Sequence, residues 1–374
     1  MNRSAWAQKR ERTSVPWLRA YTWISLRLGR RLSRLAHYPA TTFYLLISPA
    51  ARRASRTFLD RALGRPATIV DIWRHMFTFG STIHDRLFLL NDRFDLFDIE
   101  LHNKTLVRDA YVSGRGAFLL GAHLGSFEVM RAIGRSHPEL RVAIAMYEEN
   151  VQHISALLSA MNPAAKQDVI GLGQVDSMLR VRDYLDSGRM IGMLADRSLL
   201  RDADGSSRTV DFLGEPAAFP LGPLHMAAML RRPVIFMTGL YRGGNRYDIH
   251  FETLADFSKV ERGERGAEID RALHRYVGFV ERYCREAPYN WFNYYDFWQT
   301  SDAPALTEQA APRSPRAAAP AEAARPAATT VGTVGATSAA AANAPARQTA
   351  VGAPTASPHV PPAAHVDLKT RKEP

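Results

Sequence analysis

From about residue 98 onward the chain alternates short apolar runs with amphipathic stretches, and this alternation restricts the fold more than any other feature. The runs "GAFLLGAH", "RVAIAMY", "DVIGLG", "RMIGMLAD", "PVIFMTGLYR" and "YDIHFETL" have the length and content of buried strands. Between them lie "SFEVMRAIGR", "NVQHISALLSAM", "QVDSMLRVRDYLDSG" and "PLGPLHMAAMLR", with helical spacing, and a long helix is predicted over about 266–286. Strands that are apolar on both faces and separated by helices belong in a mixed, largely parallel central sheet flanked by helices. The predicted class is therefore α/β.

Upstream, residues 17–36 carry two helical stripes. Tyr21, Ile24, Leu28, Leu32 and Leu35 form one, and Arg27, Arg30, Arg31 and Arg34 form the other. An apolar face beside an arginine face suits a helix lying in a membrane interface, and it equally suits a helix docked on a domain with its arginines solvated. Residues 69–97 read as a further helix containing His75, His84 and Asp85, to which a structural role is assigned.

Charge sharpens the division. The chain carries a formal net charge of +11, yet residues 1–65 alone hold fourteen Lys or Arg against Glu11 and Asp60, so the remainder is near neutral. Such a region suits an anionic surface. A nucleic-acid binder would interleave aromatics with the basic residues on a sheet or groove. Here the arginines share a helix with an apolar stripe, which favours lipid, and no nucleic acid is expected. No run approaches the roughly 18 consecutive apolar residues of a membrane span. The N-terminus lacks the early apolar core of a cleavable signal. From about 302 the sequence is rich in Ala, Pro, Thr and Gly, with too little apolar surface to offset ordering entropy. The expected organisation is a basic amphipathic membrane-associating region (1–65), a catalytic domain (66–300) and a disordered tail (301–374). Cys284 is the single cysteine, so no internal disulfide can form. No His, Asp or Glu set has metal-ligand spacing, and no metal or cofactor is expected.

The run "GAFLLGAH" ends on His123, and "LGSFE" follows. Ligands in such sheets bind beyond the carboxyl ends of strands. Gly121 and Gly125 bracket the histidine and would let backbone approach a substrate. Ser126 is placed to cap the next helix, with Glu128 in its first turn. A carboxylate returning against the imidazole would fix one ring nitrogen and leave the other facing a cleft, as a general base for a hydroxyl. A structural histidine with a surface glutamate, or a capping turn with no substrate, accounts for the bare spacing as well.

With these residues in view, "LLGAHLGSFE" resembles the H-x4-D/E block of glycerolipid acyltransferases, and more closely that of the bacterial lipid A lauroyl/myristoyl acyltransferase family. Further blocks agree in order. "GMLADRS" is similar to that family's strand ending in Asp-Gln. "VDFLGEPAAF", "GPLHMAAMLRRPVIFM" and "APYNWFNYYDFW" resemble its later blocks. The resemblance implies transfer of a fatty acyl group from an acyl carrier protein or CoA thioester to a hydroxyl of a lipid or glycolipid acceptor. It also implies a site at the cytoplasmic face of the bacterial inner membrane, with the enzyme peripheral or monotopic. It assigns the base to His123, the orienting acid to Glu128 and substrate contacts to Gly125, Ser126, Asp196 and Arg197. Arg197 stands where the family has Gln. It is open either to the acyl oxyanion or a carrier phosphate, or to a structural ion pair with Asp202 or Asp204.

Two departures concern the acceptor. Glu148 stands where lipid A enzymes carry Arg, and "NYYDFW" replaces their Arg-Arg-Phe-Lys. The ending is more similar to a divergent branch that accompanies aryl-polyene-type pathways. The aromatic cluster "NWFNYYDFW" is expected to seal the core, with direct substrate contact as the alternative. The remaining alternatives are a catalytically idle relative serving as scaffold in a lipid pathway and a basic nucleic-acid-binding protein.

Overall fold

The computed structural model describes residues 15–129, 142–147, 161–162, 169–173, 176–197 and 206–298. The Ala/Pro-rich stretch 301–374, most of the helix expected over 150–161, and Glu148, Asp202 and Asp204 lie outside the described residues.

Nine strands lie within these residues: β1 (Asp98–His102), β2 (Ala117–Gly121), β3 (Val142–Tyr147), β4 (Val169–Leu172), β5 (Met190–Leu194), β6 (Ser207–Phe212), β7 (Glu215–Pro220), β8 (Pro233–Gly243) and β9 (Arg246–Asp256). Seven form one sheet in the order β1-β9-β8-β2-β5-β3-β4. The pairings from β8 through β4 are parallel. β9 runs antiparallel to β8, and β1 is parallel to β9 at the edge. The sheet is thus mixed and largely parallel, as the alternation implied. β6 and β7 form a separate antiparallel hairpin. Every residue of β2 is buried, which explains why its sequence is apolar throughout rather than alternating.

The helices before the sheet are α1 (Val15–Ser33), α2 (His37–Ile47), α3 (Pro49–Leu63) and α4 (Ile69–Leu90). α5 (Lys104–Val112), α6 (Ser177–Asp186), α7 (Gly222–Met229) and α8 (Arg265–Glu286) follow. α4 starts on a capping box: Asp71 N–H donates to Thr68 Oγ1 at 3.2 Å, and Thr68 N–H donates to Asp71 Oδ2 at 2.9 Å. It ends seven residues short of the expected Phe97. Phe94 and Phe97 keep apolar spacing, but Asp92 adopts φ 58° and turns the chain out of the helix. α5 has no counterpart in the sequence reading. Leu45, Ala51, Phe58, Leu59 and Ala62 of α2 and α3 join the same core as Phe118, Phe236 and Trp291, so the basic region packs into the domain.

α1 departs from the continuous helix the stripes suggested. Gly29 sits at φ 77°, ψ 163°, a kink that glycine tolerates without steric cost. The arginine stripe divides. Arg27 and Arg31 stay exposed. Arg30 is buried and forms a two-pronged pair with Asp85 on α4, Nε to Oδ1 at 2.7 Å and Nη2 to Oδ2 at 2.8 Å. Tyr247 Oη also donates to Asp85 Oδ2 at 2.7 Å. Arg34 reaches the Gly244 carbonyl and the Tyr241 hydroxyl.

The apolar stripe faces outward. Ile24, Leu28, Leu32 and Leu35 are exposed, as are Trp23, Tyr38, Phe43, Leu46 and Ile47, whereas Thr22, Ser25, Ser33 and Thr41 are buried. Polarity across α1 and α2 is inverted relative to an ordinary surface helix. Among the described residues no helix is long and apolar enough to cross a membrane.

Removing the guanidinium would strand the Asp85 carboxylate in the interior. Arg30→Ala is expected to destabilise the fold by about 3–5 kcal/mol, read as a lowered thermal midpoint of the purified chain.

Candidate active site

β2 and β5 are neighbours in register, with Gly121 opposite Leu194. The ladder continues one step past both ends, since Ala195 N–H donates to the Gly121 carbonyl at 2.9 Å. Two residues beyond each paired end lie His123 and Asp196. Parallel register alone therefore brings an imidazole and a carboxylate together at the carboxyl edge of the sheet. Asp196 Oδ1 lies 2.8 Å from His123 Nδ1, and Oδ2 accepts the His123 backbone N–H at 3.0 Å.

Asp196 is fully buried, and burial alone would raise its pKa. The contacts with His123 and the nearby Arg197 charge outweigh that, and the carboxyl is held well below the usual carboxylate range. Trp291 Nε1 and Asn293 Nδ2 also donate to Oδ2, at 3.1 and 3.2 Å. An ionised acceptor on Nδ1 assigns the ring proton to that nitrogen. The side chain of His123 is 29 % exposed, and Nε2 is left as its basic atom. Burial lowers the pKa of His123 and Arg197 lowers it further, against the opposing pull of Asp196. The imidazole is therefore neutral at neutral pH, as a base must be.

The orienting carboxylate on Nδ1 is thus Asp196, where the sequence reading had Glu128. Residues 127–129 are helical, so Glu128 does stand in the first turn of a helix. It is buried, with Oε1 3.6 Å from Nε of Arg86 on α4. Reading the motif locally favoured the acid five residues away. The acid two positions past the neighbouring strand becomes visible only once β2 and β5 are known to be adjacent.

Gly125 is required by a close approach between backbones. Its backbone is at φ 74°, and a Cβ there would come within 2.1 Å of the Gly239 carbonyl oxygen. The close approach is to strand β8. Gly125 N–H donates to Asn290 O at 2.8 Å, and Ser126 N–H to Gly239 O at 2.7 Å. These bonds fix the turn that carries His123.

Arg197 Nε donates to Asn293 Oδ1 at 2.6 Å and Nη2 to Phe292 O at 2.9 Å, with its guanidinium 5.6 Å from the Tyr295 ring centre. The partners proposed for it, Asp202 and Asp204, lie outside the described residues.

The segment 290–298 was expected to seal the core, and Trp291 does so at 0 % exposure. It also lies directly on the turn that carries His123: Leu124 and Trp291 form a β-bridge, and Phe292 N–H donates to His123 O at 2.7 Å. Trp291 and Asn293 were missed as site residues. The available signal was an indole N–H and an amide inside an apolar closing block, since buried groups of this kind need partners.

The titration of His123 gives a direct check. Its NMR midpoint should fall below the ordinary 6.5, and Arg197→Gln should raise it by removing the charge that disfavours the imidazolium. An unmoved midpoint would contradict this electrostatic arrangement.

Residues 72–300 match the family model described as bacterial lipid A biosynthesis acyltransferase. No curated protein matched the chain. The matched span covers more than half the chain and contains β2, β5, His123, Asp196 and the closing Trp291 segment. The chain therefore belongs to the bacterial lipid A biosynthesis acyltransferase family, and the reaction to be accounted for is transfer of an acyl group to a lipid.

Proposed function

We propose that the chain moves a fatty acyl group from a thioester, on acyl carrier protein or CoA, to a hydroxyl of a lipid or glycolipid acceptor, with His123 as general base. The observation that carries this reading is the His123–Asp196 pair, 2.8 Å apart at the carboxyl ends of adjacent parallel strands. Nε2 takes the proton of the acceptor hydroxyl as its oxygen attacks the thioester carbonyl carbon. The tetrahedral oxyanion collapses, the carbon–sulfur bond breaks, and the imidazolium returns the proton to the departing thiolate. Asp196 holds the tautomer and stabilises the imidazolium without taking the proton.

Arg197 acts through its charge and by fixing the closing segment. Glu128, with Arg86, holds the first turn of the helix behind the base. Ser126 and Gly125 seat the turn on β8. Glu148, and the absence of cations in the closing block, point to an acceptor other than a phosphorylated glucosamine, in keeping with the likeness to the divergent branch. A mass increase of one acyl chain on an acceptor, given acyl-thioester and lipid extract, tests the reading. His123→Ala should lower turnover by about 10²–10⁴-fold, and Asp196→Asn should lower kcat with little change in KM. Full turnover by His123→Ala would overturn the assignment.

The membrane is engaged through the outward apolar face of α1 and α2. Trp23, Leu28, Leu32, Phe43 and Ile47 enter the interface, and the exposed Arg27, Arg31, Arg53 and Arg56 meet anionic headgroups of the cytoplasmic leaflet. The inverted polarity supports this, because these side chains have no place in the core. Each buried leucine contributes about 1.5–3 kcal/mol. Leu28→Ser with Leu32→Ser should therefore weaken binding to vesicles containing anionic lipid by at least about tenfold. Added salt should weaken only the arginine contribution. Unchanged co-sedimentation of the double variant would remove α1 from the interface.

A further inference from the structure

A second cluster lies at the sheet edge, two strands from β2. Parallel register pairs Glu100 of β1 with Asp248 of β9, and His102 with His250. Alternation puts all four on one face of the edge pair, because Tyr247, Ile249 and Phe251 fill the opposite, buried face. Two imidazoles and two carboxylates thus form a two-by-two array. Donor atoms of His102, Asp248 and His250 all lie within 4.8 Å of one another. Glu100 Oε1 is 3.9 Å from His102 Nε2.

Three details distinguish this array from an ordinary solvated strand face. The His102 and His250 rings stack face to face, their planes 7° apart at a centroid distance of 4.3 Å, so the two side chains are held side by side. Nε2 of each is buried and reaches no hydrogen-bond partner among the described residues. Buried ring nitrogens without partners call for an explanation, and a bound ion would supply one. Asp248 is pre-oriented, because Arg242 Nε donates to its Oδ2 at 2.6 Å while Arg242 also contacts Glu286. Such outer contacts typically orient a ligating carboxylate.

We propose that His102, His250 and Asp248 form a binding site for a divalent transition metal of the Zn²⁺ type, with Glu100 completing the ligand set. Two imidazole nitrogens and carboxylate oxygen are a donor set such ions favour over Mg²⁺ or Ca²⁺. The ion would tie edge strand β1 to β9, with no part in acyl transfer. Sequence spacing gave no hint of it, because its ligands come from strands separated by β2 through β8. Only the pairing of first and last strands of the sheet brings them together.

The test uses the full chain stripped with a chelator and titrated with Zn²⁺ alone, and with Co²⁺ as a spectroscopic probe. One equivalent of Zn²⁺ should bind and raise the thermal midpoint, and Co²⁺ should give visible ligand-field bands. His102→Ala and His250→Ala should each weaken binding by at least about tenfold, whereas His225→Ala, at an exposed position, should not. Asp248→Asn keeps an oxygen for Arg242 and supplies a variant should either alanine substitution fail to fold. Absence of stoichiometric uptake, or uptake unaltered in the His102, His250 and Asp248 variants, would overturn the proposal.

Discussion

The Asp196 carboxylate is the interaction on which the catalytic edge depends. A buried carboxylate is tolerable only when its lone pairs are filled. Here four donors supply them: the backbone and ring of His123, the Trp291 indole and the Asn293 amide. Those donors come from two segments, the turn after β2 and the closing stretch after α8, and the carboxylate itself sits in the loop after β5. One charge therefore fixes three pieces of chain to each other and sets the tautomer of the base. The same low-dielectric surroundings that make an unpaired carboxylate costly strengthen each of these bonds.

Backbone geometry completes what the charge begins. The turn carrying His123 is pressed against β8 closely enough that side chains are excluded on both sides: a Cβ at Gly125 would meet Gly239 O, and one at Gly239 would meet Ser126 O at 2.6 Å. Thr238 Oγ1 donates to Leu124 O at 3.0 Å, and Tyr276 Oη to Gly121 O at 2.8 Å, so carbonyls on either side of the histidine are held. A base whose main chain is held on all sides keeps its basic nitrogen in one place, which is what positioning catalysis requires.

The features legible in the sequence were those set by local periodicity. Apolar runs marked β2, β3, β5, β8 and β9, and helical spacing marked α4, α6, α7 and α8. The histidine at a strand end marked the site. Adjacency was not legible. Asp196 was assigned to the cleft by resemblance, but its bond to Nδ1 needs β2 beside β5, a pairing between strands separated by β3 and β4 in the chain. Gly125 read as a glycine opened toward substrate, and only the distance to Gly239 shows that a neighbouring strand requires it. The stripes of residues 17–36 were read as two faces of one helix. A kink at Gly29 interrupts that helix and the arginine stripe divides, and periodicity carries no signal for a kink of that kind.

α4 connects these parts. Its consecutive residues Asp85 and Arg86 point to different neighbours, one binding Arg30 of α1 and the other lying against Glu128 behind the base. Nearly three turns earlier, His75 Nε2 is 2.8 Å from the carbonyl of Trp291, and the Tyr294 hydroxyl donates to the His75 carbonyl at 3.1 Å. At its start, Asp71 takes both Arg65 and the Tyr289 hydroxyl, at 2.9 and 2.7 Å. A single helix thus sets α1, whose outward side is apolar, at a fixed position relative to the helix turn and closing segment that flank His123. For an enzyme whose acceptor is a lipid, that rigid connection gives a reason for burying an arginine–aspartate pair that hydrophobic residues would replace at little loss of stability. The pair fixes the orientation of α1 relative to the segments that flank His123.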